Sequence, residues 1–222
     1  MAVKDWMTTD PLTVGPDTSV MKASQIMKEN NIRRLPVVND KGELVGIVTD
    51  RDLKEASPSK ATTLDVHELY YLLSELKIKD IMSKRVITCR PNDTVEKAAV
   101  LMLENKVTGL PVVEDGKVVG ILSQGDVFRV LVTITGIYRG GTVYTFSLED
   151  RPGSIKEVAD VIRSHGGRMV SILTAYDMMP EGTRKVFIRV ADMPKDKEKA
   201  LQEELEREFT VLEVNRDELS DV

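Results

Sequence analysis

The chain has 222 residues, of which 30% are charged and 41% are hydrophobic, and its formal net charge is −5 at pH 7. This composition is ordinary for a globular protein, no basic stripe predicts nucleic-acid binding, and neither a membrane span of roughly 20 apolar residues nor an apolar signal core is visible. Because the single cysteine, Cys89, excludes an intrachain disulfide and a cysteine-rich metal site, we expect a cytoplasmic protein.

Two copies of one unit account for the first 133 residues. The matching segments are Val3–Thr8 with Ile78–Ser83, Arg34–Val38 with Gly109–Val113, and Gly46–Asp52 with Gly120–Asp126. Internal repetition of this kind predicts that one structural unit is built twice. Each copy therefore presents a hydroxyl and a carboxylate three residues apart, first at Thr49 and Asp52 and then at Ser123 and Asp126.

Each copy is predicted to contain a short strand, a helix, a two-stranded hairpin and the start of a second helix. Turn and N-cap residues precede the first helix of each copy, and Asp93 with Glu96 fits a capping box. Apolar residues at helical spacing follow in both copies. The short strands are Leu12–Val14 and Ile87–Cys89, and the first hairpin joins Leu35–Val38 to Leu44–Thr49.

The pattern changes after the first copy and again near residue 138. Residues 63–76 read as an amphipathic helix that would cover the paired repeats or a partner subunit. The strands predicted after it are Thr142–Leu148, Arg168–Tyr176, Arg184–Val190 and Thr210–Val214, and the helices are Ile155–Ser164 and Lys195–Glu208. The resulting order β-α-β-β-α-β is that of a ferredoxin-like split βαβ unit.

The duplicated motif Gly-h-h-Thr/Ser-x-x-Asp, in which h is apolar, resembles that of paired CBS domains. The turn Asp150–Gly153 after the first strand of the C-terminal half resembles that of an ACT domain, and the order CBS-CBS-ACT resembles the bacterial acetoin-utilisation B-type proteins. The resemblance implies an α/β (α+β) fold class, with two CBS repeats forming a Bateman module and a C-terminal ferredoxin-like βαββαβ ACT domain. The implied domains are CBS repeat 1 at 1–56, a linker with an amphipathic helix at 57–77, CBS repeat 2 at 78–133 and the ACT domain at 138–216.

The resemblance to CBS pairs also implies two clefts that hold an adenosine nucleotide. The first nucleotide-binding site would be Thr13, Val14, Arg33, Arg34, Leu35, Pro36, Thr49 and Asp52, and the second Thr88, Cys89, Gly109, Leu110, Pro111, Ser123 and Asp126. In each site the hydroxyl would donate to phosphate or ribose, the carboxylate would accept from the ribose hydroxyls, and apolar residues would enclose adenine. The alternative stays open that the polar pairs are plain helix caps and the apolar residues plain core.

The two clefts differ in charge. Arg33 and Arg34 precede the Leu-Pro pair of the first copy, where the second copy has Thr108 and Gly109. Because arginine can bind a phosphate with two parallel hydrogen bonds, the first cleft is predicted to favour phosphorylated nucleotides. The second would favour adenosine or S-adenosylmethionine, or stay empty. The alternative for the two arginines is a solvated strand entry.

The C-terminal half offers a second candidate site in one turn. Asp150, Arg151, Pro152, Gly153 and Ser154 lead into a helix N-terminus, whose backbone N–H groups suit the carboxylate of an amino acid. Glycine in this turn would permit close approach of a ligand. A purely structural, dimerising ACT domain is the alternative.

Residues for catalysis or metal binding are not grouped in the sequence. His67 and His165 have no nearby metal partner, Cys89 reads as a buried thiol, and no Walker loop or nucleophile elbow is present. We expect a non-enzymatic homodimer that senses an adenosine nucleotide, without a catalytic cofactor, and relays ligand state to an unknown protein target. The alternatives are a stable regulatory subunit of an enzyme of acetoin utilisation or amino-acid metabolism, and a slow nucleotide-hydrolysing enzyme.

Overall fold

A computed structural model describes residues 1–56 and 75–216. The chain divides into two units, Met1–Val127 and Phe128–Val222. Residues 63–74 of the predicted linker helix, with His67, lie outside the described residues. Element labels below run in chain order over the described residues.

The first unit repeats a helix followed by an antiparallel hairpin. Its elements are β1 (Thr8–Thr9), α1 (Val20–Glu29), β2 (Arg34–Val38), β3 (Leu44–Thr49), α2 (Asp50–Ala56), α3 (Ile78–Ile81), α4 (Val95–Asn105), β4 (Gly109–Glu114), β5 (Lys117–Ser123) and α5 (Gln124–Thr135), which begins in this unit. β2 pairs with β3 and β4 pairs with β5, and both hairpins shift register at the same repeat-equivalent step. The two predicted copies are therefore also copies in structure.

The helix starts are set by hydroxyl caps. The hydroxyl oxygens of Ser19 and Thr94 accept the backbone N–H groups of Lys22 and Lys97, at 3.2 and 3.1 Å. The predicted capping box of Asp93 with Glu96 is therefore wrong by one residue. The Asp93 carboxylate instead accepts the backbone N–H of Arg90 at 2.8 Å, because the chain enters the helix from an extended Thr94.

The two copies exchange strands. β1, from the start of the first copy, pairs with β5 of the second copy, with Thr8 opposite Ile121. In return Ser83, at the start of the second copy, bridges to Ile47 on β3 of the first. Each short leading segment thus completes the sheet of the other copy, so the two copies form one interlocked unit.

Aliphatic side chains fill the interior of the first unit, in keeping with an aromatic content of 5% for the whole chain. The core of the first copy is Val14, Val20, Ala23, Met27, Leu35, Val37, Val48 and Leu53, joined by Ile78 from the second copy. The equivalent buried residues of the second copy include Cys89, Val95, Ala98, Met102, Leu110, Val112 and Leu122, joined by Val3 from the first. Burial of these side chains is the main stabilising term of the unit.

The second unit has the predicted order β-α-β-β-α-β. Its elements are β6 (Thr142–Glu149), α6 (Ser154–Ser164), β7 (Met169–Ala175), β8 (Thr183–Val190), α7 (Lys195–Glu208) and β9 (Thr210–Arg216). The strands form one antiparallel sheet in the order β7-β8-β6-β9, which is the ferredoxin-like arrangement. Its core lies between one sheet face and the two helices and includes Tyr144, Phe146, Ile162, Ile188, Leu201 and Leu205.

Within the described ranges, none of the helices combines the length and the apolar character that crossing a membrane requires.

Candidate functional site

A hydroxyl and a carboxylate close the same hydrogen-bonded ring in both copies. In the first copy the backbone N–H and the hydroxyl of Thr49 both donate to Oδ2 of Asp52 at 2.7 Å, and the N–H of Asp52 donates to Oγ1 of Thr49 at 3.3 Å. In the second copy the corresponding distances between Ser123 and Asp126 are 2.8, 2.6 and 3.2 Å. The helix cap that the sequence allowed is therefore formed in both.

The ring leaves chemical capacity for a ligand. In the first copy both hydrogen bonds that Thr49 donates to the carboxylate of Asp52 end on Oδ2. A carboxylate has a second oxygen with its own lone pairs, so Oδ1 of Asp52 can accept from a ligand without breaking the cap. Because the cap fixes the side-chain torsions in advance, little side-chain entropy would be lost on binding.

Main-chain bonds bring the predicted apolar residues next to these rings. The N–H of Val14 donates to the carbonyl of Pro36 at 3.1 Å, and in the second copy the N–H of Cys89 donates to the carbonyl of Pro111 at 3.2 Å. Each predicted short strand is therefore a single parallel bridge beside the Leu-Pro segment. The neighbouring Thr13 is exposed and Thr88 is half-buried, whereas Leu35 and Leu110 are fully buried and belong to the core as well as to the candidate clefts.

The side chain of Arg34 leaves its own copy. Its backbone lies on β2 directly opposite Thr49, but its Nη2 donates to Oγ1 of Thr108 in the second copy at 2.8 Å. A Cβ atom on Gly109 would lie 2.6 Å from Cζ of Arg34 and would overlap its Nη1. Arg33, by contrast, is exposed.

The sequence pattern predicts Arg34 in the first cleft, whereas the guanidinium lies against Thr108 of the second repeat. Thr108 is a contact that the predicted site omitted. The signal for it was present in the alignment of the copies, where Arg33-Arg34 corresponds to Thr108-Gly109. The crossing itself depends on how the copies pack, which the aligned sequence does not encode.

Charges from both copies act on Arg34. Burial lowers the pKa of its guanidinium, Asp50 and Asp126 oppose that effect, and Arg33 adds to it. The Nη1 atom is buried and has no hydrogen-bond partner among the residues that the structure describes. Because an arginine stays protonated in proteins, this position carries a fixed positive charge with an unused donor.

Cys89 is a buried thiol. Burial and the nearby Asp93 carboxylate raise its pKa to about 11, with Lys97 opposing. A thiol in this state is protonated at neutral pH and is a poor nucleophile. The prediction that Cys89 is a buried thiol is confirmed, and its place in the second cleft stays a prediction.

The five residues predicted as the ACT ligand loop form one turn held by ion pairs. Arg151 donates twice to the carboxylate of Glu157 and once to that of Glu149, each at 2.8 Å. Gly153 has φ +91°, in the left-handed region that favours glycine, immediately before α6. Arg151 therefore links Glu149, at the end of β6, to Glu157, in the first turn of α6.

Arg184, on β8, holds the inner side of this turn. Its Nη2 donates to the buried hydroxyl of Ser154 at 3.0 Å, and its Nη1 lies 3.5 Å from Oδ1 of Asp150. Its Nε atom is buried and has no hydrogen-bond partner within the described part of the chain. Arg184 is not predicted from the sequence, because nothing in the linear pattern connects β8 with the turn before α6.

The other end of α6 carries a cavity of about 450 Å³ lined by Arg163, Ser164, His165, Gly166, Asp196, Lys197 and Ala200. It lies one helix length from the Asp150–Ser154 turn. Nε2 of His165 lies 3.3 Å from a carboxylate oxygen of Glu204, so the ring has a protein partner. Within residues 1–56 and 75–216, no cluster of three or more His, Cys, Asp or Glu residues suits a metal ion.

Comparison with known proteins gives the family. The profile of the CBS domain matches residues 3–59 and 78–133. Homoserine O-acetyltransferase of Methanosalsum zhilinae is 36% identical over 132 residues, which are 59% of this chain and 24% of that protein. L-aspartate semialdehyde sulfurtransferase of Methanocaldococcus jannaschii is 34% identical over 128 residues, 57% of this chain and 22% of that protein. The similarity thus spans less than a quarter of either enzyme.

Solved structures resemble the same region. The CBS domain pair of protein MJ0100, in complex with 5-methylthioadenosine and S-adenosyl-L-methionine, is 31% identical with a TM-score of 0.51, covering 60% of this chain and 97% of that one. CBSX2 of Arabidopsis thaliana, in complex with AMP, is 36% identical with a TM-score of 0.50, covering 60% and 98%. The acetoin utilization protein AcuB of Vibrio cholerae is 27% identical with a TM-score of 0.52, covering 62% and 95%. Because the matched repeats make up just over half of its residues, this chain belongs to the CBS domain family and carries a tandem CBS pair.

Proposed function

We propose that this chain is a non-enzymatic regulatory protein whose CBS pair binds an adenosine nucleotide of the AMP, ADP or ATP class. The observation that carries the proposal is the duplicated ring of Thr49 with Asp52 and of Ser123 with Asp126, each beside a buried Leu-Pro segment. The similar CBS pairs hold 5-methylthioadenosine with S-adenosyl-L-methionine in one case and AMP in another. Adenosine is the part that these ligands share.

Different residues of each cleft are proposed to contact the ribose, the adenine and the phosphate of the nucleotide. Oδ1 of Asp52 and the carboxylate of Asp126 accept from the ribose hydroxyls, and the Leu-Pro segment with the bridged Val14 or Cys89 encloses the adenine ring. Backbone groups of the same segment read the edge of the base. The phosphate then extends toward the polar entrance of the cleft, where Arg33, Arg34 and Thr108 stand.

Strand exchange gives the unit a way to relay its ligand state. β1 of the first copy belongs to the sheet of the second, and Ser83 of the second copy bridges to the first. A ligand that favours one packing of the copies will shift the population toward that packing, provided that it binds the two arrangements with different affinity. The target of the relay is a protein partner, and the working unit is a cytoplasmic homodimer.

We further propose that the second unit is an ACT domain that binds an amino acid at the Asp150–Ser154 turn. The supporting observation is the buried Nε of Arg184, which is unpartnered within the described residues and lies behind the turn that begins α6. A carboxylate there would meet this donor and the N-terminal N–H groups of the helix. Titration with the twenty amino acids tests the proposal: saturable binding that Arg184→Gln abolishes supports it, and no binding contradicts it.

The alternative is that the chain is a stable regulatory subunit of a metabolic enzyme, in acetoin utilisation or amino-acid metabolism. Two observations favour it: CBS regions similar to this one occur within enzymes, and a structurally similar protein is named for acetoin utilization. Affinity purification from the native cell distinguishes the two proposals. A stoichiometric enzyme in the purified complex favours the subunit, and an isolated homodimer favours the free sensor.

Calorimetric titration with AMP, ADP, ATP and adenosine tests the nucleotide proposal. We expect binding in the micromolar to low millimolar range, weakened tenfold or more at the first cleft by Asp52→Ala and at the second by Asp126→Ala, since each loses a charged hydrogen-bond acceptor. Asp40→Ala, in the exposed hairpin turn, is the matched control and should bind as the wild type does. Unchanged binding after both site substitutions would contradict the proposal.

A further inference from the structure

We infer that the two clefts share one cation, the guanidinium of Arg34, so that only one cleft at a time binds a phosphorylated nucleoside tightly. The inference rests on the proposed binding of adenosine nucleotides and adds a rule for how the clefts are filled. Its basis is the position of one arginine between repeat-equivalent residues of the two copies.

The side chain of Arg34 runs from one ring to the other. Its backbone is opposite Thr49, and the backbone of its repeat-equivalent, Gly109, is opposite Ser123. Directly opposed residues in an antiparallel pair have side chains about 5 Å apart on one face of the sheet. The Arg34 side chain therefore starts beside the hydroxyl of the first ring and ends over the residue beside the hydroxyl of the second.

Only one of the two equivalent positions can carry this side chain. A Cβ on Gly109 would overlap Nη1 of Arg34 and would also lie 3.0 Å from the carbonyl oxygen of Leu122. Two arginines at these positions would clash and would place like charges in contact. Gly109 thus leaves the space that the guanidinium of Arg34 occupies, and these two equivalent positions together supply a single guanidinium.

Carboxylates from both copies attract the guanidinium of Arg34, and its Nη1 atom has no hydrogen-bond acceptor among the described residues. Asp50 of the first copy and Asp126 of the second both stabilise its charge. Nη2 is bonded to Thr108, while Nη1 is buried and unpartnered within the described residues. A buried donor without an acceptor is unfavourable, so a phosphate oxygen that reaches it gains a charge-assisted bond and removes that cost.

The two clefts would share the guanidinium because the side chain of Arg34 is long enough to reach a phosphate in either of them. A phosphate in the second cleft meets the guanidinium close to where it lies, beside Thr108. A phosphate in the first cleft draws it back along its own stem toward Thr49. Whichever cleft obtains the guanidinium leaves the other without it, and there the Asp carboxylate repels a second phosphate. Adenosine carries no phosphate and should fill both clefts independently.

Single-cleft variants test the sharing. Asp126→Ala leaves the first cleft and Asp52→Ala leaves the second, and calorimetry measures AMP and adenosine binding by each, with and without Arg34→Ala. We expect the loss of Arg34 to weaken AMP binding about tenfold or more in both backgrounds, with adenosine affinity unchanged. In the wild type the second AMP should bind at least about tenfold more weakly than either single-cleft value. Arg51→Ala, an exposed arginine paired with Glu55, is the control for charge alone.

Three other outcomes would contradict the proposal, and they can be told apart. A loss of AMP affinity in only one background assigns Arg34 to that cleft and refutes sharing, and equal losses for AMP and adenosine reduce it to a packing role. Absence of binding of both ligands to the wild type refutes the nucleotide proposal itself. Arg34→Gln, which keeps bulk and a donor for Thr108, must show the same loss as Arg34→Ala.

Discussion

Met7 packs directly on Gly120, although the two residues belong to different copies of the repeat. The equivalent pair is Met82 on Gly46, where a Cβ would lie 2.5 Å from Sδ of the methionine. The glycine of the duplicated motif is therefore explained by packing, because each leading segment passes over the hairpin of the other copy. This glycine is needed for the close packing of the exchanged segments, and its role does not depend on binding a ligand.

Gly120→Ala should destabilise the first unit. The new methyl group would overlap Sδ of Met7, so the methionine or β1 must shift, at a cost of about 1–3 kcal/mol. Denaturant unfolding measures the change. Gly125→Ala is the control, since its nearest neighbour would be Oγ of Ser123 at 3.5 Å, an ordinary contact. Similar effects of the two substitutions would show that the Met7 contact is unimportant.

Gly109 and Arg34 should be energetically coupled. Gly109→Ala alone displaces the guanidinium, whereas an Arg34→Ala background removes that clash and leaves the contact of the methyl group with the carbonyl of Leu122 at 3.0 Å. The double variant should therefore lose less stability than the two single variants added together, by about 0.5–3 kcal/mol. A double-mutant cycle of unfolding free energies measures the coupling, and additive losses would contradict the contact.

Cys89 should make stability fall in alkali. Its folded-state pKa is about 11, against 9.0 for an unperturbed thiol, so the unfolded chain releases this proton first as the pH rises. The contribution is fully present below about pH 9 and is lost as the pH approaches 11. Unfolding free energies between these values should decline more steeply for the wild type than for Cys89→Ala. Parallel curves for the two proteins would contradict the raised pKa of the Cys89 thiol in the folded state.

The chain should be a dimer with a contact at the edge of the C-terminal sheet. β7 and β9 are the outer strands of the four-stranded sheet, and Ile172 on β7 is 41% exposed. An open edge with apolar side chains invites pairing with a second copy. Sedimentation equilibrium should give a mass above the 24.8 kDa of one chain, reduced toward it by Ile172→Asp. Met178→Asp, in the exposed turn after β7, is the control. A concentration-independent monomer would contradict this prediction.

The regular elements could be predicted from the sequence because their patterns are local. The helix Lys195–Glu208 was predicted with the observed bounds, and the strand at Thr142 ends one residue later than predicted. The hairpins and the polar rings follow from alternation and from Thr/Ser-x-x-Asp spacing in the same way. The short segment at Leu12–Val14 was less predictable, since a single bridge to Val37 needs only its two main-chain bonds.

The features that the sequence did not reveal are contacts across large separations. Arg34 reaches Thr108, and Arg184 reaches Ser154, in each case through a long side chain whose direction depends on packing. Charge and position along the chain placed Arg34 in the first cleft, and only the crossing of the copies moves its guanidinium to the second. The contacts of long, flexible arginine side chains are therefore the hardest to predict from the sequence.

Native mass spectrometry of the AMP-saturated protein tests the central claim most directly, because it counts bound nucleotides per chain. The account predicts bound AMP in the wild type, retained in the Asp52→Ala and Asp126→Ala single variants at one cleft each. It predicts none in the variant that carries both substitutions. Adenosine should reach two per chain in the wild type. AMP retained in the double variant at wild-type occupancy would contradict the assignment of the clefts.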